Sequence, residues 1–180
     1  MLSFIDQCGK IVQLIKYPER VVSLVPSQTE LLFYLGLDEQ VKGITKFCIH
    51  PSGWFKNKTK IGGTKNLHID KIRELQPDLI IANKEENDQQ QIEMLAKEFP
   101  VWTSNIIDLP SALEMILQVG EIFNKKEPAQ ILINNIQNQF ALITPLTAQK
   151  KKKNLIWQKP FMVAGGNTFI NSILSKKKKK

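Results

Sequence analysis

The segment "TKFCIHPSGW" gathers the side chains best suited to chemistry in this chain: Cys48, His50 and Trp54. Cys48 and His50 are two residues apart, so an extended backbone turns both to one side. Thiolate and imidazole are reasonable ligands for zinc or cobalt, yet two donors do not close a metal site. His68 is the only other histidine, and it opens a helical pattern. The chain has no GxSxG, Walker A or HExxH, which argues for a binding protein and against an enzyme. Two cysteines, Cys8 and Cys48, without a CxxC exclude a disulfide scaffold and leave a single bridge open.

Three further clusters carry polar groups at useful places. In "GGTKN", Gly62 and Gly63 let a backbone approach a ligand closely ahead of Thr64, and a tight turn explains them equally well. Ser27 and Thr29 open a helix, where free N–H groups favour an anion or a carbonyl. Ser27 and Glu30 also have capping-box spacing, which already accounts for the serine. "ANKEEN" follows the apolar run "PDLII"; Glu85 and Glu86 suit the positive end of a helix dipole. That leaves Asn83, Lys84 and Asn87 as the candidates for a cleft rim.

These groups need a scaffold, and the apolar pattern supplies one. "LSFIDQCGKIVQLI" predicts a small hairpin. "RVVSLV", "VKGIT", "DLIIA" and "VWTS" read as buried strands, and "TELLFYLG", "HIDKIRELQ", "ENDQQQIEMLAKE" and "LPSALEMILQVGEIF" as helices between and after them. The first helix stops at Gly36, and the third buries Ile92, Leu95 and Ala96. The segment "KFCIHPSGWFKNKTKIGGTKN" reads as an irregular loop. Alternation of strand and helix predicts an α/β fold: a Rossmann-like lobe whose parallel sheet presents ligands at the carboxyl ends of its strands. A long helix with Pro128 in its first turn follows. Then "NLIWQ", "KPFMVAGG" and "NTFINSIL" read as strand, loop and helix, the start of a second α/β lobe without partner strands. The divisions fall at 1–126 (α/β lobe), 127–150 (helix and linker), 151–175 (second lobe) and 176–180 (lysine tail).

Composition narrows the function classes. The chain has 180 residues, is 42% hydrophobic and contains no apolar run long enough for a membrane span. Its net charge of +8 is more than supplied by nine lysines, 150–153 and 176–180, so the remainder is near neutral and nucleic-acid binding is not expected. "MLSFIDQCGK" has none of the three parts of a secretory signal.

Five segments in order, "RVVSLVPSQTELLFYLGL", "VKGITKFCIHP", "IGGTKN", "LQPDLIIANKEEN" and "IWQKPFMVAGGNTFI", resemble the helical-backbone substrate-binding proteins of ABC importers. This group includes cobalamin, haem and siderophore receptors, and the cobalamin type is the most similar. The resemblance covers Arg20 to about Leu174. It implies two Rossmann-like lobes joined by one long helix, with the ligand in the cleft between them. It also implies no cofactor of the protein's own: cobalamin or an iron chelate is the ligand, an ABC permease and ATPase are the partners, and the protein is a monomer.

For such a ligand the cleft needs flat apolar walls and hydrogen-bonding groups. The resemblance points to Trp54 and Trp157, one from each lobe, as stacking surfaces, and to His50 as a single axial contact to the chelated metal. Gly166, Asn167 and Thr168 in "GGNTF" repeat the glycine-and-hydroxyl helix opening on the second lobe. The resemblance places the protein in the periplasm or on a lipoprotein anchor, whereas the absent signal leaves the cytoplasm open. The ending "SKKKKK" reads as a truncation through a frameshift. Two alternatives stand beside the transport reading: an intracellular α/β protein for a small polar ligand, and a fragment without function.

Overall fold

The computed structural model describes residues 1–142, 155–159, 161–163, 165 and 168–176. The chain opens with an antiparallel hairpin of β1 (Leu2–Ile5) and β2 (Ile11–Leu14), in the register Leu2 opposite Leu14. Five parallel strands follow: β3 (Val21–Ser23), β4 (Val41–Ile44), β5 (Thr59–Lys60), β6 (Leu79–Asn83) and β7 (Val101–Ser104). Between them run α1 (Pro26–Tyr34), α2 (Ser52–Asn57), α3 (Ile69–Leu75) and α4 (Gln89–Leu95). After β7 come α5 (Leu109–Ile122) and α6 (Lys126–Ala141), packed on each other. The last elements are a second antiparallel pair, β8 (Leu155–Gln158) and β9 (Phe161–Val163), and α7 (Phe169–Lys176).

The sheet order is β5-β4-β3-β6-β7. From β3 the chain builds outward through β4 and β5, then returns to the other side of β3 at β6. The reversal places the topological switch point between β3 and β6, where the loops leaving the two strands diverge and open a crevice.

Alternation along the strands divides the core in two. Val21, Leu79, Ile81 and Trp102 face one side, with α1, α5, α6 and the hairpin; Val22, Ile80, Ala82 and Val101 face the other, with α3 and α4. Both faces are covered, so strands as short as three residues carry no exposed side chain, as a parallel sheet requires. Each fully buried Ile or Leu here stabilises the fold by about 1.5–3 kcal/mol. Helix α1 ends as expected at Gly36, whose φ of +73° suits a residue without Cβ. The N–H of Gly36 reaches the carbonyl of Phe33, and that of Leu37 reaches Leu32, a Schellman closure.

Four local expectations are corrected. Helix α1 begins at Pro26, with Val25 as the capping residue and no side-chain cap. Proline presets the first helical φ, so the helix starts one residue before Ser27 and the Ser27–Glu30 capping box does not form. The segment 46–66 is less irregular than expected: Trp54 anchors α2 by burial, edge-on to Phe33 with ring centroids 5.4 Å apart, and β5 then joins β4. Glu85 and Glu86 lie in a turn before α4, where Asp88 caps the helix by accepting the N–H of Gln91 at 3.0 Å; Ala96 is exposed. Finally, part of the expected "KPFMVAGG" loop is β9, which gives β8 an antiparallel partner.

Candidate ligand-binding rim

The carboxyl ends of β3, β4, β6 and β7 form one rim. Its shape is set by amides. Asn87 sits in the turn after β6, and its Oδ1 accepts the backbone N–H of Asn83 at 2.8 Å. Its Nδ2 donates to the carbonyls of Thr64 (3.0 Å) and Leu24 (3.4 Å). One side chain thus spans the switch point and ties three strand-end loops together. Asn83 completes the turn: its Oδ1 accepts the N–H groups of Glu85 and Glu86, both at 3.0 Å, and its Nδ2 donates to Ser104 Oγ at 2.9 Å. Both asparagines are buried. They were expected to touch a ligand; their polar atoms hold the rim, and both residues line the groove beside it.

Gly62 and Gly63 also belong to the framework. The N–H of Gly63 donates to the Asn66 carbonyl at 2.8 Å, closing the tight turn that was one of the two readings of this stretch. Gly62 has φ +98°, and a Cβ there would collide with the Asn66 carbonyl oxygen. Lys65 Nζ crosses to the Glu85 carbonyl at 2.7 Å, locking the same two loops together from outside.

The side chains singled out for chemistry separate into two groups. Thr29, Cys48 and Trp54 are inside the protein. Thr29 Oγ1 donates to the Val25 carbonyl at 2.9 Å and lies 3.1 Å from Cys48 Sγ, which also contacts Thr45 Oγ1 at 3.2 Å. Cys48 therefore points inward while His50 is exposed, so the two do not share a metal, and Cys48 is unpaired. Among the described residues no group of three or more His, Cys, Asp or Glu is placed to hold a metal ion. Trp54 packs against Phe33 and offers no open face for stacking. Ser27, His50 and Lys84 are exposed on the rim and Thr64 is half-buried there.

Sequence reading missed the apolar members of the rim. Phe47 and Ile49 flank Cys48 and are more than half exposed, at 52% and 55%. With Cys48 turned inward, its two neighbours turn outward, and that alternation was the available signal. Ile107, after β7, is 54% exposed. Lys46 Nζ stands 5.3 Å from the Phe47 ring centroid, which leaves a cationic edge beside an apolar plate. Burial pushes the nearby Lys60 ammonium down, with Cys48 opposing the shift.

In the later part of the chain, Thr168 caps α7: its Oγ1 accepts the N–H of Asn171 at 3.3 Å. Trp157 lies on β8. Gly166 and Asn167 fall outside the described residues, as do the two lysine runs apart from Lys176.

The class defined by these elements is a parallel α/β lobe with polar and apolar groups gathered at its switch point. The chain belongs to the periplasmic binding protein family, whose model matches residues 21–176. It is 26% identical over 182 residues to an ABC transporter substrate-binding lipoprotein of Bacillus subtilis, covering 94% of this chain and 57% of that one. To the vitamin B12-binding protein of Pectobacterium atrosepticum it is 29% identical over 126 residues, covering 68% and 44%. The chain spans about half the length of these relatives. Its fold matches that of a siderophore-binding protein solved with acinetobactin and ferric iron, with a TM-score of 0.79 at 19% identity, over 96% of this chain and 66% of that one.

Proposed function

We propose that this chain is the substrate-binding component of an ABC importer and that its rim forms one wall of a site for a metal chelate, such as cobalamin or another corrinoid, haem or a ferric siderophore. The observation that carries the reading is the exposed plate of Phe47 and Ile49 beside the amide-locked switch point. Flat apolar surface next to fixed polar groups suits a large, rigid, partly polar ligand. The names of the relatives support the same class: vitamin B12-binding, siderophore-binding and ABC substrate-binding proteins.

In this reading His50 and Lys84 contact the ligand from the first lobe, with Ser27 and Thr64 as hydrogen-bonding groups. His50 supplies one axial nitrogen to the chelated metal, while the chelate brings its other donors. Trp157, Gly166, Asn167 and Thr168 belong to the facing wall. Residues 1–126 are the first lobe, 127–150 the connecting helix and linker, and 151–175 part of the second. The protein binds and releases its ligand unchanged, acts as a monomer on the outer face of the membrane, and delivers to a permease. Lys56, Lys58 and Lys60 precede the Gly62 turn. Lys58 is itself held by the Asp38 carbonyl at 2.6 Å.

The test is equilibrium titration with cobalamin, haem and ferric siderophores. Saturable binding of one of them supports the reading, and no saturable response to any of them removes it.

A further inference from the structure

A groove of about 450 Å³ lies beside the rim, between the tip of the β1–β2 hairpin, the ends of β6 and β7, and the start of α4. It is large enough for a small organic molecule and too small for a macrocyclic chelate. Its hairpin wall is rigidly built. The buried Asp6 carboxylate accepts the N–H groups of Cys8 (2.9 Å), Lys10 (2.7 Å) and Thr103 (3.3 Å). Gln7 is pinned three times: its N–H donates to the Thr103 carbonyl at 3.2 Å, its Nε2 to the Ser111 carbonyl at 2.8 Å, and its Oε1 accepts the Asn105 N–H at 3.0 Å. The opposite wall carries Lys84, whose backbone N–H is fixed on the Ser104 carbonyl at 2.9 Å.

Two cations therefore line one groove, one from each wall, with Cys8 also in its lining; burial and the Asp6 carboxylate push the Cys8 thiol up, and Lys84 and Lys10 oppose that shift. Among the described residues neither Lys10 nor Lys84 has a carboxylate within ion-pair distance. Two like charges on a preformed concave surface repel, and an anion between them removes the repulsion. Glu93 also lines the groove, and Gln89 Nε2 donates to it at 2.7 Å, which turns that carboxylate toward its own helix. Ile92 gives the floor an apolar patch.

We propose that the hairpin groove is a subsite for a small carboxylate anion, held between Lys10 and Lys84. The anion is either free or the carboxylate arm of a chelate seated on the rim; only the second case rests on the function proposed above. Cys8 is the reporter, because it is exposed in the groove while Cys48 is buried.

The experiment uses the full chain and follows the rate of maleimide labelling of Cys8, with binding heats measured in parallel. The probes are citrate, ferric citrate and cobalamin, whose fringe is mostly amide. At ten times the dissociation constant, mass action leaves about one tenth of the grooves open, so labelling slows about 10-fold. Lys10→Gln and Lys84→Gln each weaken the binding about 2- to 5-fold, and the double variant abolishes protection. Protection by citrate identifies a free anion; protection by ferric citrate alone identifies the arm of a chelate. The proposal is overturned when neither citrate form protects Cys8 or releases heat, or when the lysine variants bind as tightly as the native chain. Saturable cobalamin binding in that same experiment would leave the chelate reading standing while this proposal falls.

Discussion

Asn87 Oδ1 accepts the backbone N–H of Asn83 at 2.8 Å, four residues back across the turn that ends β6. The bond closes the loop at the switch point, and the same side chain reaches Thr64 and Leu24 on two other loops. The rim is thus fixed before any ligand arrives. Removing the amide in Asn87→Ala strands the buried Asn83 N–H and frees the Thr64 loop. The expected loss is about 1–3 kcal/mol in urea unfolding, with ligand binding weakened as well. Native-like stability in the variant would show that the turn holds itself.

Asp6 plays the same part for the hairpin. Its carboxylate is buried and takes backbone N–H groups from the hairpin turn and from β7. Asp6→Ala is expected to cost about 2–3 kcal/mol, since these are hydrogen bonds to a charged acceptor. Amide exchange should quicken at Cys8, Lys10 and Thr103 ahead of the sheet. Uniform quickening throughout the lobe would mean that the hairpin is no separate unit.

Gly62 allows no side chain. Its φ of +98° is one that L residues rarely adopt, and a Cβ would also stand 2.9 Å from the His68 nitrogen. Gly62→Ala is expected to destabilise the protein by about 1–3 kcal/mol and to shift the turn that positions Thr64. Gly53, where a Cβ meets nothing within 4 Å, provides the comparison: Gly53→Ala, inside α2, should be neutral or stabilising.

Arg73 joins Glu98 at 2.6 Å on the surface, and its hydrogen bonds hold the Glu98 carboxyl below its ordinary value of 4.5. A carboxylate depressed by folding contributes stability above its unfolded pKa and loses that contribution as pH falls through the folded value. The pair therefore matters at neutral pH and fades below about 4.5. Unfolding curves of native protein and Glu98→Gln should differ at pH 7 and converge at low pH. A constant difference over that range would assign the effect to packing.

The architecture was largely legible in the chain because both faces of a parallel sheet are buried, and short β-branched runs such as "RVVSLV" have few other uses. Gly36 marked the end of the first helix for a local steric reason. The site was less legible, because burial depends on partners distant in sequence. Asn87 finds Leu24 and Thr64, 63 and 23 residues away, and nothing in "ANKEEN" itself reveals either contact. Trp54 was expected at an open face, yet its partner is Phe33 of an earlier helix. Ser27 had the spacing of a cap, and Pro26 overrode it by starting the helix first. Phe47 and Ile49 went unnoticed because the alternation that turns them outward becomes readable once Cys48 is taken as the inward residue.

The most direct measurement of the proposed site is a map of backbone amide shifts on saturation with the tightest-binding chelate. Shifts should concentrate at residues 46–50, 62–66 and 84–87, around the carboxyl ends of β4, β5 and β6. Shifts centred on Arg20, Asp38 and Asp78, at the opposite ends of the strands, would contradict the assignment, as would binding that leaves the rim unmoved.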